Sequence, residues 1–118
     1  QVEIFDAFAL ELEAYPEAVI DGLRDLTLLL EAFGPHLGRP HADTLKGSRH
    51  ANMKELRLKA DDGVWRFAFA FDPDRAAIVL VGGNKAGVKE NRFYEALIAT
   101  ADERFDAHLV SLKAGKGP

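Results

Sequence analysis

The chain has 118 residues, no cysteine and a formal net charge of −4. One domain fits this length, and disulfides, thiol catalysis and cysteine-held metals are excluded. Hydrophobic residues make up 47% and charged residues 29%, the proportions of a soluble globular protein, and no apolar run approaches the roughly 20 residues that span a bilayer. No signal peptide is visible, so a cytoplasmic location is expected. The charge is unevenly spread. Residues 1–35 carry eight acids and one base; residues 36–92 carry eleven bases and seven acids. A phosphate-binding face is therefore expected only in the middle of the chain.

Gln1–Phe5 alternates polar and apolar residues and reads as a short strand. Asp6 is placed to cap a short helix that holds Phe8 and Leu12 and ends near Tyr15-Pro16. A second helix opens at Pro16-Glu17. Val19, Leu23, Leu26, Leu30 and Phe33 recur along one face, and Gly34-Pro35 stops it. These leucines read as packing in an αα-hairpin. His36–His50 reads as a loop rich in Gly, Pro, His and bases.

Three strands follow. Met53–Lys59 ends at the turn signal Asp62-Gly63, Val64–Phe71 ends at Asp72-Pro73-Asp74-Arg75, and Ala76–Val81 ends at Gly82-Gly83. They read as an antiparallel meander. In the middle strand Trp65, Phe67, Phe69 and Phe71 share one face, which the helices must bury at about 2–3 kcal/mol per ring. Arg66, Ala68 and Ala70 share the other, expected to form a shallow basin. The last helix runs from about Asn91 to Leu112, with Phe93, Leu97, Ala101, Phe105 and Leu109 at steps of four. The domain is placed at 1–113 and a frayed tail at 114–118.

The candidate chemistry lies around the basin. Glu55 and Arg57 share a face of their strand, and Arg66 can join them across the hairpin. Gly82-Gly83 is expected to leave a loop that lays Asn84 and Lys85 over the rim. With Lys54, Arg92 and Tyr94, this set fits phosphodiester cleavage of RNA. The 2′-hydroxyl must lose a proton, the 5′-oxygen must gain one, and the charge on phosphorus must be held. Arginine and lysine suit the last task, Glu55 could act as base, and Tyr94 could stack on a base or assist proton transfer. Equally, Glu55 and Arg57 could be a surface ion pair, Arg66 a solvated strand residue, Lys85 a turn lysine and Tyr94 a core residue. Lys46, Arg49, His50, Lys54, Asn84, Lys89 and Arg92 are the candidates for holding RNA. The histidines match no zinc spacing, and no metal or other cofactor is expected. No phosphate loop, dinucleotide fingerprint or serine-nucleophile signature is present.

Gly38-Arg39-Pro40, Asp43–His50 and Asn52–Arg57 together resemble the HigB-like and phage Gp49-like branch of the RelE/ParE toxin superfamily. Trp65-Arg66, Leu80–Lys85, Arg92-Phe93-Tyr94, Ala101-Asp102 and His108-Leu109 continue the likeness over nearly the whole chain. The resemblance implies an α+β fold of the order β-α-α-β-β-β-α, with a strand and αα-hairpin packed on a small antiparallel sheet. It implies a toxin of a type II toxin–antitoxin pair, partnered by a cognate antitoxin, that cuts mRNA on the ribosome without a metal. It puts the catalytic weight on Arg57, Arg66, Lys85 and Tyr94, with Glu55 where some members have lysine. Two alternatives stay open: a ParE-like toxin that poisons gyrase without cutting nucleic acid, and an inactive member that only binds its antitoxin.

Overall fold

The computed structural model describes residues 1–115, and residues 116–118 of the expected tail lie outside them. The order is β1 (Val2–Ile4), α1 (Asp6–Leu12), α2 (Glu17–Phe33), a 3₁₀ turn (Gly34–His36), β2 (Ala42–Thr44), β3 (Lys54–Ala60), β4 (Gly63–Phe71), β5 (Ala77–Asn84) and α3 (Glu90–Gly115). Five strands form one sheet in the order β1-β5-β4-β3-β2. The β2–β3, β3–β4 and β4–β5 pairs are antiparallel; β1 joins the far edge parallel to β5. The α+β class and the β3-β4-β5 meander follow the reading above. The N-terminal strand follows it as well; its parallel pairing with β5 and the short strand β2 are additions to that reading. Among the described residues no helix is long and apolar enough to cross a membrane.

The helical hairpin buries the aromatic face, as the alternation requires. Phe8 of α1 and Val19, Leu23, Leu26 and Leu30 of α2 pack on Leu56, Trp65, Phe67, Phe69 and Val79. Gly34 ends α2 with a φ of 55°, a conformation that costs a residue with a Cβ. In the β3–β4 hairpin Ala60 pairs with Gly63, so Asp61-Asp62 form the two-residue turn, with φ values of 50° and 55°. Both residues are left-handed, as the twist of a tight hairpin demands.

The reverse face of the sheet is not bare. Leu97, Ala101 and Phe105 of α3 cover Leu45, Met53, Ala68, Ala70, Ile78 and Leu80, making a second core. Ala68 and Ala70 are small because a helix lies on them. The expected basin thus shrinks to the end of the face where β4 carries arginine. α3 is also longer than expected and takes in Ala114 and Gly115, so these two are helical rather than a frayed tail.

Gly82 and Gly83 do not open a loop. They lie within β5, paired with Phe67 and Arg66. A Cβ on Gly82 would stand 2.5 Å from the Phe67 ring. The glycine therefore makes room for an aromatic on the neighbouring strand. Upstream, the register of β5 against β4 shifts between Ala68 and Phe69, leaving Leu80 as the extra residue. Its carbonyl accepts a hydrogen bond from Arg104 Nη1 at 2.8 Å, and Arg104 also binds Glu11 of α1. One guanidinium thereby satisfies the bulge and ties α3 to α1.

Candidate functional site

The β3–β4 register sets Arg57 directly opposite Arg66, and Glu55 opposite Ala68. All of these face the α3 side of the sheet. Two arginines facing each other across strands repel. Glu55 offsets this, with Oε1 at 3.7 Å from Arg66 Nε and Oε2 at 3.9 Å from Arg57 Nε. Tyr94, in the second turn of α3, closes the group from above. Its hydroxyl donates to Glu55 Oε1 at 2.8 Å and accepts from Arg66 Nε at 3.2 Å. Arg66 Nη1 also donates to the carbonyl of Trp65.

Glu55 and Arg66 are each only 6% exposed. The side chain of Arg57 is 30% exposed. The two arginines, equivalent in the sequence reading, are therefore different groups. Arg66 is a buried brace for the carboxylate, and Arg57 faces an opening. Burial first, and then the hydrogen bond to Glu55, raise the Tyr94 hydroxyl above the ordinary tyrosine range, with Arg66 pulling the other way. Tyr94 thus keeps its proton at neutral pH and can donate it.

Lys85 follows β5 and sets its ammonium 5.6 Å from the centre of the Tyr94 ring, while pairing with Glu90 at 2.9 Å. The Glu90 carboxyl is held below the usual range by the Lys85 hydrogen bond and charge, with smaller contributions from Arg66 and Arg57. One face of the Tyr94 ring is thus covered by a cation. Beside Arg57 lies an open cleft of about 480 Å³, lined by Pro40, His41, Arg57, Leu58, Lys59 and Arg66.

The other expected residues scatter. Lys54 lies on the opposite sheet face and donates to the carbonyl of Pro35 at 3.2 Å. Asn84 is used internally, its Oδ1 accepting from the N–H groups of Val64 and Ala86. Lys89 and Arg92 are exposed around the start of α3, and Arg92 lines a different cleft with Val81, Val88 and Phe93. Lys46 is exposed in the loop after β2. Arg49 and His50 both bind Asp106 of α3, and His50 sits edge-on to Phe105. Ser48 Oγ and the Arg49 N–H bind the buried carboxylate of Asp102. The Ser48–His50 segment therefore staples the loop to α3.

Sequence reasoning missed His41, Pro40 and Lys59 as cleft walls, and Asp102 and Asp106 as loop anchors. Unread strand β2 explains His41: without the Ala42–Leu56 pairing nothing fixes which face His41 takes. The two aspartates stand four apart on α3, which is a helical-face signal that could have been paired with the basic loop.

A further pair fastens the far end of α3. Asp72 Oδ1 accepts from the N–H groups of Asp74 and Ala76, and Oδ2 lies 2.8 Å from His108 Nε2. Burial alone would raise the Asp72 carboxyl, but His108 and the two backbone donors outweigh it and hold it low. A depressed folded-state value gives stability above the unfolded value near 3.9 that is lost as pH falls through the folded one. Urea midpoints are therefore expected to fall below about pH 4, and Asp72→Asn to flatten that fall. An unchanged acid limb in Asp72→Asn would contradict this assignment.

Among the described residues no group of three or more His, Asp or Glu is placed to hold a metal ion.

Residues 10–106 match the family model described as phage derived protein Gp49-like (DUF891). Two relatives from Mycobacterium tuberculosis are similar to the chain. One, named "Putative toxin HigB3", is 45% identical over 108 residues, covering 92% of this chain and 88% of that protein. The other, named "Putative toxin HigB2", is 48% identical over 89 residues, covering 75% of this chain; the match spans only 44% of that relative's length. No solved structure matches. The matched stretch takes in α2, the whole β2–β5 region and most of α3, and the chain belongs to the phage-derived Gp49-like family, in its HigB-like branch.

Proposed function

We propose that this protein is the toxin of a toxin–antitoxin pair and that it acts by cutting mRNA at the Arg57 cleft. The observation that carries the reading is a carboxylate, Glu55, that a phenol and two guanidiniums each reach by hydrogen bond or ion pair, with both guanidiniums also lining an open cleft. The names of the two relatives support the toxin class.

The cluster suits transfer to a neighbouring hydroxyl. Glu55 takes the proton of the 2′-hydroxyl as that oxygen attacks phosphorus. The bond to the 5′-oxygen breaks, and Tyr94 gives its proton to the leaving oxygen. Glu55 then returns a proton to Tyr94 across their 2.8 Å hydrogen bond. The products are a 2′,3′-cyclic phosphate and a 5′-hydroxyl. Arg57, and the edge of Arg66 that reaches the cleft, hold the charge that develops on the phosphoryl oxygens. In this scheme the guanidiniums supply the positive charge, and cleavage is expected to persist in EDTA. Lys85 adds positive charge above Tyr94.

With a net charge of −4 and few cations at the cleft, the protein holds free RNA weakly. A ribosome that presents mRNA in a fixed path supplies the missing alignment. The proposed partners are thus mRNA, the ribosome and an antitoxin.

Inducing the protein alone is expected to arrest growth and to truncate translated transcripts. Intact mRNA with inhibited supercoiling would instead support gyrase poisoning. Absence of toxicity would support a member that only binds its antitoxin.

A further inference from the structure

Pro40 and His41, immediately before β2, form one wall of the Arg57 cleft. Ala42 of β2 packs into the helical-hairpin core and pairs with Leu56. Side chains alternate along a strand, so His41 and Asp43 fall on the face that carries Glu55 and Arg57. The His41 carbonyl accepts the Arg57 N–H at 2.9 Å, which fixes the two residues side by side. His41 and Pro40 are both exposed and both line the cleft.

The lining has a particular chemistry. It contains one flat ring, the imidazole of His41, next to the apolar pyrrolidine of Pro40. It contains three cations, Arg57, Lys59 and Arg66, and no carboxylate. A volume of about 480 Å³ is in the range of small-ligand sites. A flat ring beside three cations, two of them offset only from behind by the single carboxylate of Glu55, matches a planar heterocycle joined to a phosphate.

We propose that this cleft is a nucleotide subsite, in which the base next to the scissile phosphate stacks on His41 while Lys59 and Arg57 hold the phosphates that flank it. The inference rests on the ribonuclease reading and adds to it a residue that positions the substrate. Stacking on a ring tolerates any base, since each has a π-face. His41 therefore sets where the strand lies more than which base is read. A ring that only stacks adds affinity without adding a charge contact.

The test is binding of a short 2′-O-methyl RNA, which cannot be cut because its nucleophile is blocked, to the full chain, followed by fluorescence anisotropy across a salt series. His41→Ala is expected to weaken binding by about five-fold or more, with the salt slope of the wild type kept. His41→Trp is expected to bind within about two-fold of wild type. Lys59→Ala is expected to lower the slope of log affinity against log salt by about 0.7. An oligomer with an abasic site at the stacked position is expected to lose the same factor on the wild type and nothing further on His41→Ala. Wild-type affinity in His41→Ala, or an abasic oligomer bound as tightly as the intact one, would overturn the subsite. Cleavage that still depends on Arg57 would then leave the ribonuclease reading standing. Absence of RNA binding by the wild type, with mRNA left uncut, would overturn both.

Discussion

Arg57→Ala is expected to leave the protein folded and to lower mRNA cleavage by about 100-fold or more. The side chain is the partly exposed member of the cluster, and its nearest ion-pair distance, 3.9 Å to Glu55, is long. Its loss from the fold should therefore cost less than about 1 kcal/mol. For the reaction it is the guanidinium most open to a phosphate. The contrast to measure is urea stability against cleavage in the same preparation. A variant that unfolds as it loses activity would mean Arg57 is a structural brace. A variant that cleaves normally would remove the charge-stabilising role.

Arg66→Ala is expected to behave in the opposite way, with a loss of about 3–5 kcal/mol of stability. Arg66 and Glu55 are both 6% exposed and 3.7 Å apart. Removing the arginine leaves a buried carboxylate with Tyr94 and a distant Arg57 as its remaining partners. The double variant Glu55→Leu/Arg66→Met is expected to recover much of that loss, because an apolar pair of similar size carries no buried charge. Cleavage should stay absent in the double variant. Stability and activity thus separate: the single variant is unfolded or weakly folded, and the double variant is folded and inert. A double variant less stable than either single one would show that the pair contributes net stability. Cleavage retained in the double variant would remove Glu55 from the mechanism.

The elements legible in the sequence were those with an unambiguous period. Val19, Leu23, Leu26 and Leu30 fixed the face of α2, and the four aromatics of β4 fixed the face it turns to the helical hairpin. Period alone did not reveal what lies on the other face. Ala68 and Ala70 suit an open basin and a bed for a helix equally well, and only the packing of Leu97, Ala101 and Phe105 decides for the helix. Gly82-Gly83 reads as a strand stop because glycine is common in turns. The cause of Gly82, the ring of Phe67 on the next strand, is a contact between distant positions. Strand β2 is three residues long and hidden in a loop-like run of Gly, Pro and His, so His41 had no face until its pairing was known.

The candidate site was partly legible in the same sense. Strand alternation and the hairpin signal bring Glu55, Arg57 and Arg66 together, and the structure has them together with Tyr94 and Lys85. The RNA-holding set is more scattered. Lys54 is one residue out of phase with Glu55, which sends it to the other face, and Arg49 and His50 are taken up by Asp106. Closeness in sequence to a site does not fix the face or the partner of a basic residue.

The central claim is most directly tested by incubating the purified protein with translating ribosomes and a defined mRNA in which the ends of the fragments are mapped. Fragments ending in 2′,3′-cyclic phosphate, formed by the wild type and absent with Arg57→Ala, are the predicted result. Intact message, or fragments ending in a 3′-hydroxyl, would contradict attack by the 2′-oxygen at this cluster.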